Sequence, residues 1–303
     1  VEHFSEGLAE CGLNDKSGFI DKTGKMIIPF VYDEVEAFQN GLAICKLQDK
    51  YGIINKSGKT VVAFKYDEIT PYAEGFAIVE QGGKYGYINE TGKLVVPVMY
   101  SKAGDFSEGL ASVELDGLNG FIDVSGKLVI PCKYDWTGNF KDGFAKVKSK
   151  NKLGIIGKTG KVIFPCEYDL LGEFAENRIM LVKDQKYGFA NKKGEVVIPI
   201  TYDYSTNFKS TIEFKNGLAI AEKSNKQWLM DTTERYVAVK GFERIESFSE
   251  GFAAIRKKGK WGYIDVSEKI QIPCTYQSAG YFKNELARVS KKDQVGFINK
   301  KGK

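Results

Sequence analysis

The chain has 303 residues, with 44 Lys and Arg against 39 Asp and Glu, a net charge of +5, and 43% apolar side chains beside 33 glycines. That composition supports a packed core and excludes a disordered chain, and the charge is too balanced to predict specific nucleic-acid binding. A single histidine, His3, argues against His-based metal sites, Ser-His-Asp triads and Cys-His dyads.

In chain order the dominant feature is an internal repeat. An aromatic residue three places before Gly-Leu-Ala or Gly-Phe-Ala recurs at Phe4, Phe38, Tyr72, Phe106, Phe140 and Phe174, each 34 residues after the last. Phe214 follows 40 residues later, then Phe248 and Phe282 at 34. Asn177 and Glu285 replace the glycine in two units. The phase slip marks an insertion near 208–213. The expected organisation is one repeat array over 1–303, with units starting near 4, 38, 72, 106, 140, 174, 214, 248 and 282 and the last incomplete.

The unit from Phe38 to Pro71 shows the plan. Gly41-Leu42-Ala43-Ile44-Cys45 opens a first apolar run, and Gln48-Asp49-Lys50 is a polar tip. Tyr51-Gly52-Ile53-Ile54-Asn55 is the second run, Lys56-Ser57-Gly58-Lys59 a turn, and Thr60-Val61-Val62 through Tyr66-Asp67 the third. Helical tetratricopeptide arrays share this period, but runs of four to six Val, Ile, Tyr and Phe broken by Gly predict strands. Asx-x-x-Gly recurs at Asp21–Gly24, Asn55–Gly58, Asn89–Gly92, Asp123–Gly126, Asn191–Gly194 and Asn299–Gly302. There an Asx side chain can bond the backbone two residues on. Each repeat is expected to be a three-stranded antiparallel β-meander.

The string aromatic-Gly-aromatic/Ile-Ile-Asn/Asp-Lys-x-Gly-Lys-x-Val-Ile-Pro-x-x-Tyr-Asp resembles the bacterial WG repeat family over essentially the whole chain. Trp261-Gly262-Tyr263-Ile264-Asp265 carries the naming dipeptide, and Tyr51-Gly52, Tyr85-Gly86 and Tyr187-Gly188 put Tyr in the Trp place. Asn119-Gly120, Leu153-Gly154 and Val295-Gly296 depart further, and Gln227-Trp228-Leu229 is degenerate. The resemblance implies a scaffold used in many contexts. Three short strands leave a face to bury against a neighbour, so the repeats must stack. The expected class is all-β, with the meanders stacked in an open superhelical array. A closed β-propeller is the alternative, disfavoured because its blades usually have four strands and the last unit lacks its third. The cut ends suggest an excised fragment or missing flanking segments.

Six prolines, Pro29, Pro97, Pro131, Pro165, Pro199 and Pro273, end the third run and predict a sheet edge there. The five cysteines follow the repeat, without a C-x-x-C or a partner His, and are expected to be small core residues. Glu6, Glu74, Glu108, Asp142 and Glu176 form one charge ladder and Lys25, Lys59, Lys93, Lys127 and Lys161 another, expected to be solvated rows of weak pairs. Gly157-Lys158-Thr159-Gly160 mimics part of a phosphate loop but falls in the repeat's turn with no helix after it. The carboxylates recur by 34 rather than converge. No catalysis and no cofactor or metal are expected.

Positions that vary between repeats are free for partners. Two residues after the recurring Tyr or Phe stand Glu34, Glu68, Lys102 and Arg244, but Trp136, Leu170 and Tyr204 in three consecutive units. Those three, with Phe208 in the insertion, are the candidate binding patch, expected as an apolar stripe on a loop edge. Residues 208–303 are net positive, and Arg256, Lys257, Lys258, Lys260, Lys291 and Lys292 at hairpin tips form a candidate patch for an anionic partner. The function expected is a non-catalytic scaffold for protein–protein interaction. The alternative is a carbohydrate or cell-envelope-binding module, motivated by 16 Tyr, 20 Phe and 3 Trp. No run approaches a membrane span, and Val1-Glu2-His3-Phe4 has no signal-peptide character. That leaves a cytoplasmic location or, after signal removal, an extracytoplasmic one.

Overall fold

A computed structural model describes residues 3–303 except 205–213, 215–216, 224–225, 233–235, 238–241, 247 and 268. Among the described residues every regular element is a strand. The strands form small antiparallel sheets consecutive in sequence, none closed into a barrel. The chain divides into two compact units, Val1–Lys150 with Ile155–Val162, and Asn151–Gly154 with Ile163–Lys303.

In the first unit the sheet after Tyr32 shows how the repeat is built. Its strands are Glu34–Val35, Leu42–Leu47, Lys50–Asn55 and Thr60–Tyr66, paired in that order. The last three are the expected meander. Leu42–Leu47 turns into Lys50–Asn55 through Gln48 and Asp49, both with positive φ (50° and 60°). Two successive left-handed residues make the primed turn whose twist matches that of the strands. The second turn is built by the Asx residue, best seen in the next repeat: Asn89 Oδ1 accepts the Thr91 N–H at 3.1 Å, the Thr91 hydroxyl at 2.7 Å and the Lys93 N–H at 3.0 Å.

The sequence did not announce the two-residue strand at the head of the sheet. Glu34–Val35 pairs with Lys46 and Cys45, and Glu68–Ile69, Lys102–Ala103 and Trp136–Thr137 repeat it. A strand alternates faces, so two residues suffice to bury Val35 or Ile69 while the residue before points to solvent. Trp136 and Leu170, expected on a loop edge, therefore lie on short edge strands.

The opposite edge belongs to the third run, as the prolines required. In the third repeat Tyr85 pairs with Tyr100 but Tyr87 with Val96, so Pro97, Val98 and Met99 bulge opposite Gly86. The bulge absorbs the N–H that proline lacks. It also fixes the glycine: a Cβ on Gly86 would lie 2.6 Å from the Val96 carbonyl oxygen.

The core is shared between neighbours. The recurring aromatic of one repeat packs on the second-run aromatic of the repeat before: Phe38 on Phe19 at 4.7 Å between ring centroids, Phe106 on Tyr87 at 5.1 Å, Phe140 on Phe121 at 4.8 Å. The second unit does the same with Phe214 on Phe189 at 4.7 Å and Phe282 on Tyr263 at 5.0 Å. Burying one such ring contributes about 2–3 kcal/mol that a lone repeat would forfeit. The second unit's sheets include Leu170–Leu171 with Arg178–Lys183, Lys186–Asn191 and Val196–Asp203, and Arg244–Ile245 with Phe252–Lys257, Lys260–Asp265 and Ile270–Tyr276. Its last described sheet, Ser278–Lys283, Leu286–Lys291 and Gln294–Asn299, has no third-run strand.

Candidate functional site

The first residue of each short strand is the outward position set by the pleat. Where it is charged, the cross-strand partner neutralises it in Glu34–Lys46 at 3.4 Å and Lys102–Glu114 at 2.7 Å, whereas Glu68 faces Glu80 and Arg244 faces Arg256. Trp136 occupies this place in the first unit, opposite Lys148, and is 47% exposed. Its indole lies along the strand, 3.1 Å from where a Cβ on Gly138 would sit. In the second unit Leu170 takes the same place opposite Val182 and is 36% exposed. Tyr204 departs from this geometry. The preceding strand runs on to Asp203, the Tyr204 N–H donates to the Gln185 carbonyl at 2.9 Å, and the half-buried ring packs against the cluster of Met180, Val182, Tyr187 and Tyr202. Phe208 and 209–213 of the insertion lie outside the described residues.

All six candidate basic residues are exposed. Lys257, Lys258 and Lys260 surround one primed hairpin tip and Lys291 and Lys292 the next. Arg256 Nε lies 3.6 Å from Glu243, Lys257 sits 5.6 Å over the Phe242 ring and Lys291 5.9 Å over Tyr276.

The carboxylate ladder joins repeats, whereas Lys25, Lys59, Lys93, Lys127 and Lys161 are exposed, as expected of a solvated row. Glu6 accepts the Gly41 N–H at 3.0 Å and pairs with Lys56 at 2.8 Å. Glu74 accepts the Glu108 and Gly109 N–H groups, both at 2.8 Å, and Glu108 accepts that of Gly143 at 3.0 Å. In the second unit Glu250 takes the Asn284 and Glu285 N–H groups at 2.7 and 3.0 Å. The hydrogen bond from Lys56 holds the Glu6 carboxyl below its ordinary range, and the Glu285 N–H does the same for Glu250. A second ladder uses the Asp after the recurring Tyr. Asp67 bonds Lys50 at the tip of its own repeat and the Gly82 N–H at the tip of the next, and both keep its carboxyl acidic. The 34-residue recurrence of Glu and Asp was the available signal; only the stacking shows what they reach.

Other chemistry is thinly represented among the described residues. No group of three or more His, Cys, Asp or Glu side chains is placed to hold a metal ion. Cys45 is buried, and burial pushes its thiol up to about 12, which makes it a poor nucleophile. A hollow lined by Glu36, Ala37, Leu42, Ile44, Pro71 and Tyr72 encloses about 20 Å³, room for a single water. Among the described residues no helix is long and apolar enough to cross a membrane.

No curated protein sequence matches this chain. Among solved structures, a eukaryotic initiation factor aligns over 97% of this chain and 93% of its own at 12% identity and a TM-score of 0.37. Hsv2p of Kluyveromyces lactis aligns over 84% and 90% at 8% identity and a TM-score of 0.34, and the AfRom2 CNH domain over 78% and 92% at 12% and 0.31. The WG containing repeat matches eight times in succession, at residues 18–51, 51–85, 85–118, 120–152, 154–187, 187–226, 229–261 and 261–294. Several matches begin on the aromatic-Gly step itself, at Tyr51, Tyr85, Tyr187 and Trp261, the step whose glycine lies beneath the proline bulge. The chain belongs to the family of WG-containing repeat proteins.

Proposed function

We propose that this repeat module is a non-catalytic scaffold that binds a protein partner through the outward position of its short strands. The observation that carries the reading is Trp136. At a position that holds Glu34, Glu68, Lys102 or Arg244 elsewhere, an indole stands 47% exposed on a strand edge, and Leu170 stands at the same place in its own repeat. Scattered exposed apolar residues are ordinary, but tryptophan is the side chain most enriched where binding energy concentrates. A sugar-binding surface would need many exposed rings, whereas the recurring aromatics Phe38, Phe106, Phe140, Phe214 and Phe282 are buried. This favours a protein over a glycan.

The test is retention of partners from an extract of the source cells by the immobilised chain and by its Trp136→Ala variant. A discrete protein held by the wild type should bind the variant about 2 kcal/mol more weakly, roughly thirtyfold, with the melting temperature unchanged. Glycan-array binding that depends on Trp136 would favour the carbohydrate reading instead. Partner binding equal in the two chains would remove Trp136 from the site.

A further inference from the structure

Two hairpin tips late in the second unit, at Lys258–Lys260 and at Lys292–Asp293, depart from the pairing rule that earlier tips of the same unit obey. The Lys that opens the second long strand pairs with the Asp 17 residues later in Lys16–Asp33, Lys50–Asp67, Lys152–Asp169 and Lys186–Asp203. Where Ser101 replaces that Asp, Lys84 lies near Glu114 instead. At Lys260 the position belongs to Gln277. Its amide still reaches the next tip, with the side-chain NH2 donating to Asp293 at 3.1 Å and the oxygen accepting the Asp293 N–H at 3.0 Å. Lys260 is left without an ion-pair partner among the described residues, as are Lys258 and Lys292. The Trp261–Tyr276 pair places Gln277 next to Lys260, and its bonds to Asp293 link the tip of Lys258 and Lys260 to the tip of Lys292. Beneath them Arg244 lies directly opposite Arg256, a like-charge pair that costs stability in a sheet.

We propose that these two tips are a docking surface for an extended, Asp- and Glu-rich protein segment, bound through Lys258, Lys260 and Lys292. Carboxylates fit better than phosphates. Both nearby guanidinium groups are engaged, Arg244 with Glu246 at 2.8 Å and Arg256 with Glu243 at 3.6 Å, so the tips offer lysine point charges rather than planar forks for phosphate. The rings of Phe242 and Tyr276 are roofed by Lys257 and Lys291, which blocks a stacking face for bases. The proposal uses none of the residues of the Trp136 reading and does not depend on it.

Fluorescein-labelled deca-glutamate, followed by anisotropy with the full chain at about 50 mM and about 300 mM salt, tests this. Binding is expected at the lower salt and should weaken at the higher. Lys260→Gln should weaken it about fivefold and Lys59→Gln, with the same charge change elsewhere, not at all. The decisive variant is Gln277→Asp. It removes no cation but restores the ion pair to Lys260, and should weaken binding about threefold with circular dichroism unchanged. No binding at low salt, equal effects of Lys59→Gln and Lys260→Gln, unaltered binding in Gln277→Asp, or displacement by decathymidylate more effectively than by unlabelled deca-glutamate would each overturn the proposal.

Discussion

A Cβ added to Gly120 would stand 2.4 Å from the Ile130 carbonyl oxygen and 2.7 Å from the Cys132 N, and at Gly262 the corresponding distances to Ile272 and Cys274 are the same. These are backbone atoms of a bulged strand, so nothing nearby can rotate away. The glycine of the family's naming step is thus dictated by close approach, whereas Gly109, at φ +79° with no atom within 4 Å of its Cβ position, is dictated by handedness. Asn177 and Glu285 hold the equivalent place at φ 59° and 67°, which shows that the second demand is softer. Gly120→Ala should lower unfolding free energy by about 2–4 kcal/mol in urea titration. Gly296 is the internal control, since it stands on the same step in a sheet without the third-run strand and its Cβ would meet nothing. Gly296→Ala should be near neutral, and equal costs at the two sites would show that the bulge is not the cause.

At the scale of the element, each meander is locally specified, but its attachment to the next depends on side chains that reach across. Glu74 is the clearest case, because its two carboxylate oxygens each accept one backbone N–H from the following repeat. Charged acceptors make hydrogen bonds of about 1.5–3 kcal/mol, and solvent competition at this exposed site places the loss in Glu74→Ala near the lower end. Glu74→Gln keeps one acceptor oxygen and should lose about half as much. Amide exchange reads the effect where it acts: Glu108 and Gly109 should exchange faster in Glu74→Ala, while the Asx-turn amides of Thr91 and Lys93, bonded within their own repeat, should not.

Across the whole molecule these carboxylates make stability depend on acidity in one direction. Lysine bonds hold Glu6, Asp33, Asp67 and Asp169 below their ordinary values of 4.5 for Glu and 3.8 for Asp, and a backbone N–H does so for Glu250. A group whose carboxyl is more acidic when folded stabilises fully above its unfolded value and loses that contribution as pH falls through the folded one. The melting temperature should therefore be level from neutral pH down to about pH 5 and drop steadily below the ordinary carboxylate range. A midpoint unchanged between about pH 5 and pH 3 would contradict the ladder.

The sequence by itself determined the repeat, its strands and its turns, because those rest on local chemistry: β-favouring runs, an Asx oxygen facing N–H groups two and four residues on, and a proline that must sit at an edge. It marked Trp136 and Leu170 as departures at one repeat position, because equivalence follows from period alone. Tertiary structure decided the rest. Glu34–Val35 is a strand only because Leu42–Leu47 lies beside it, and two residues carry no readable periodicity. The ladder glutamates Glu74 and Glu250 act on amides 34 and 35 positions away, where sequence shows a charge but not its partner. Tyr204 was grouped with Trp136 by register, yet it packs against the core cluster that includes Val182 and Tyr202, since the strand before it runs on to Asp203. Only the pairing of Lys16, Lys50, Lys152 and Lys186 shows which bond Lys260 lacks where Gln277 stands. Each of these depends on distances between residues far apart in the chain, which stacking sets and local propensity does not.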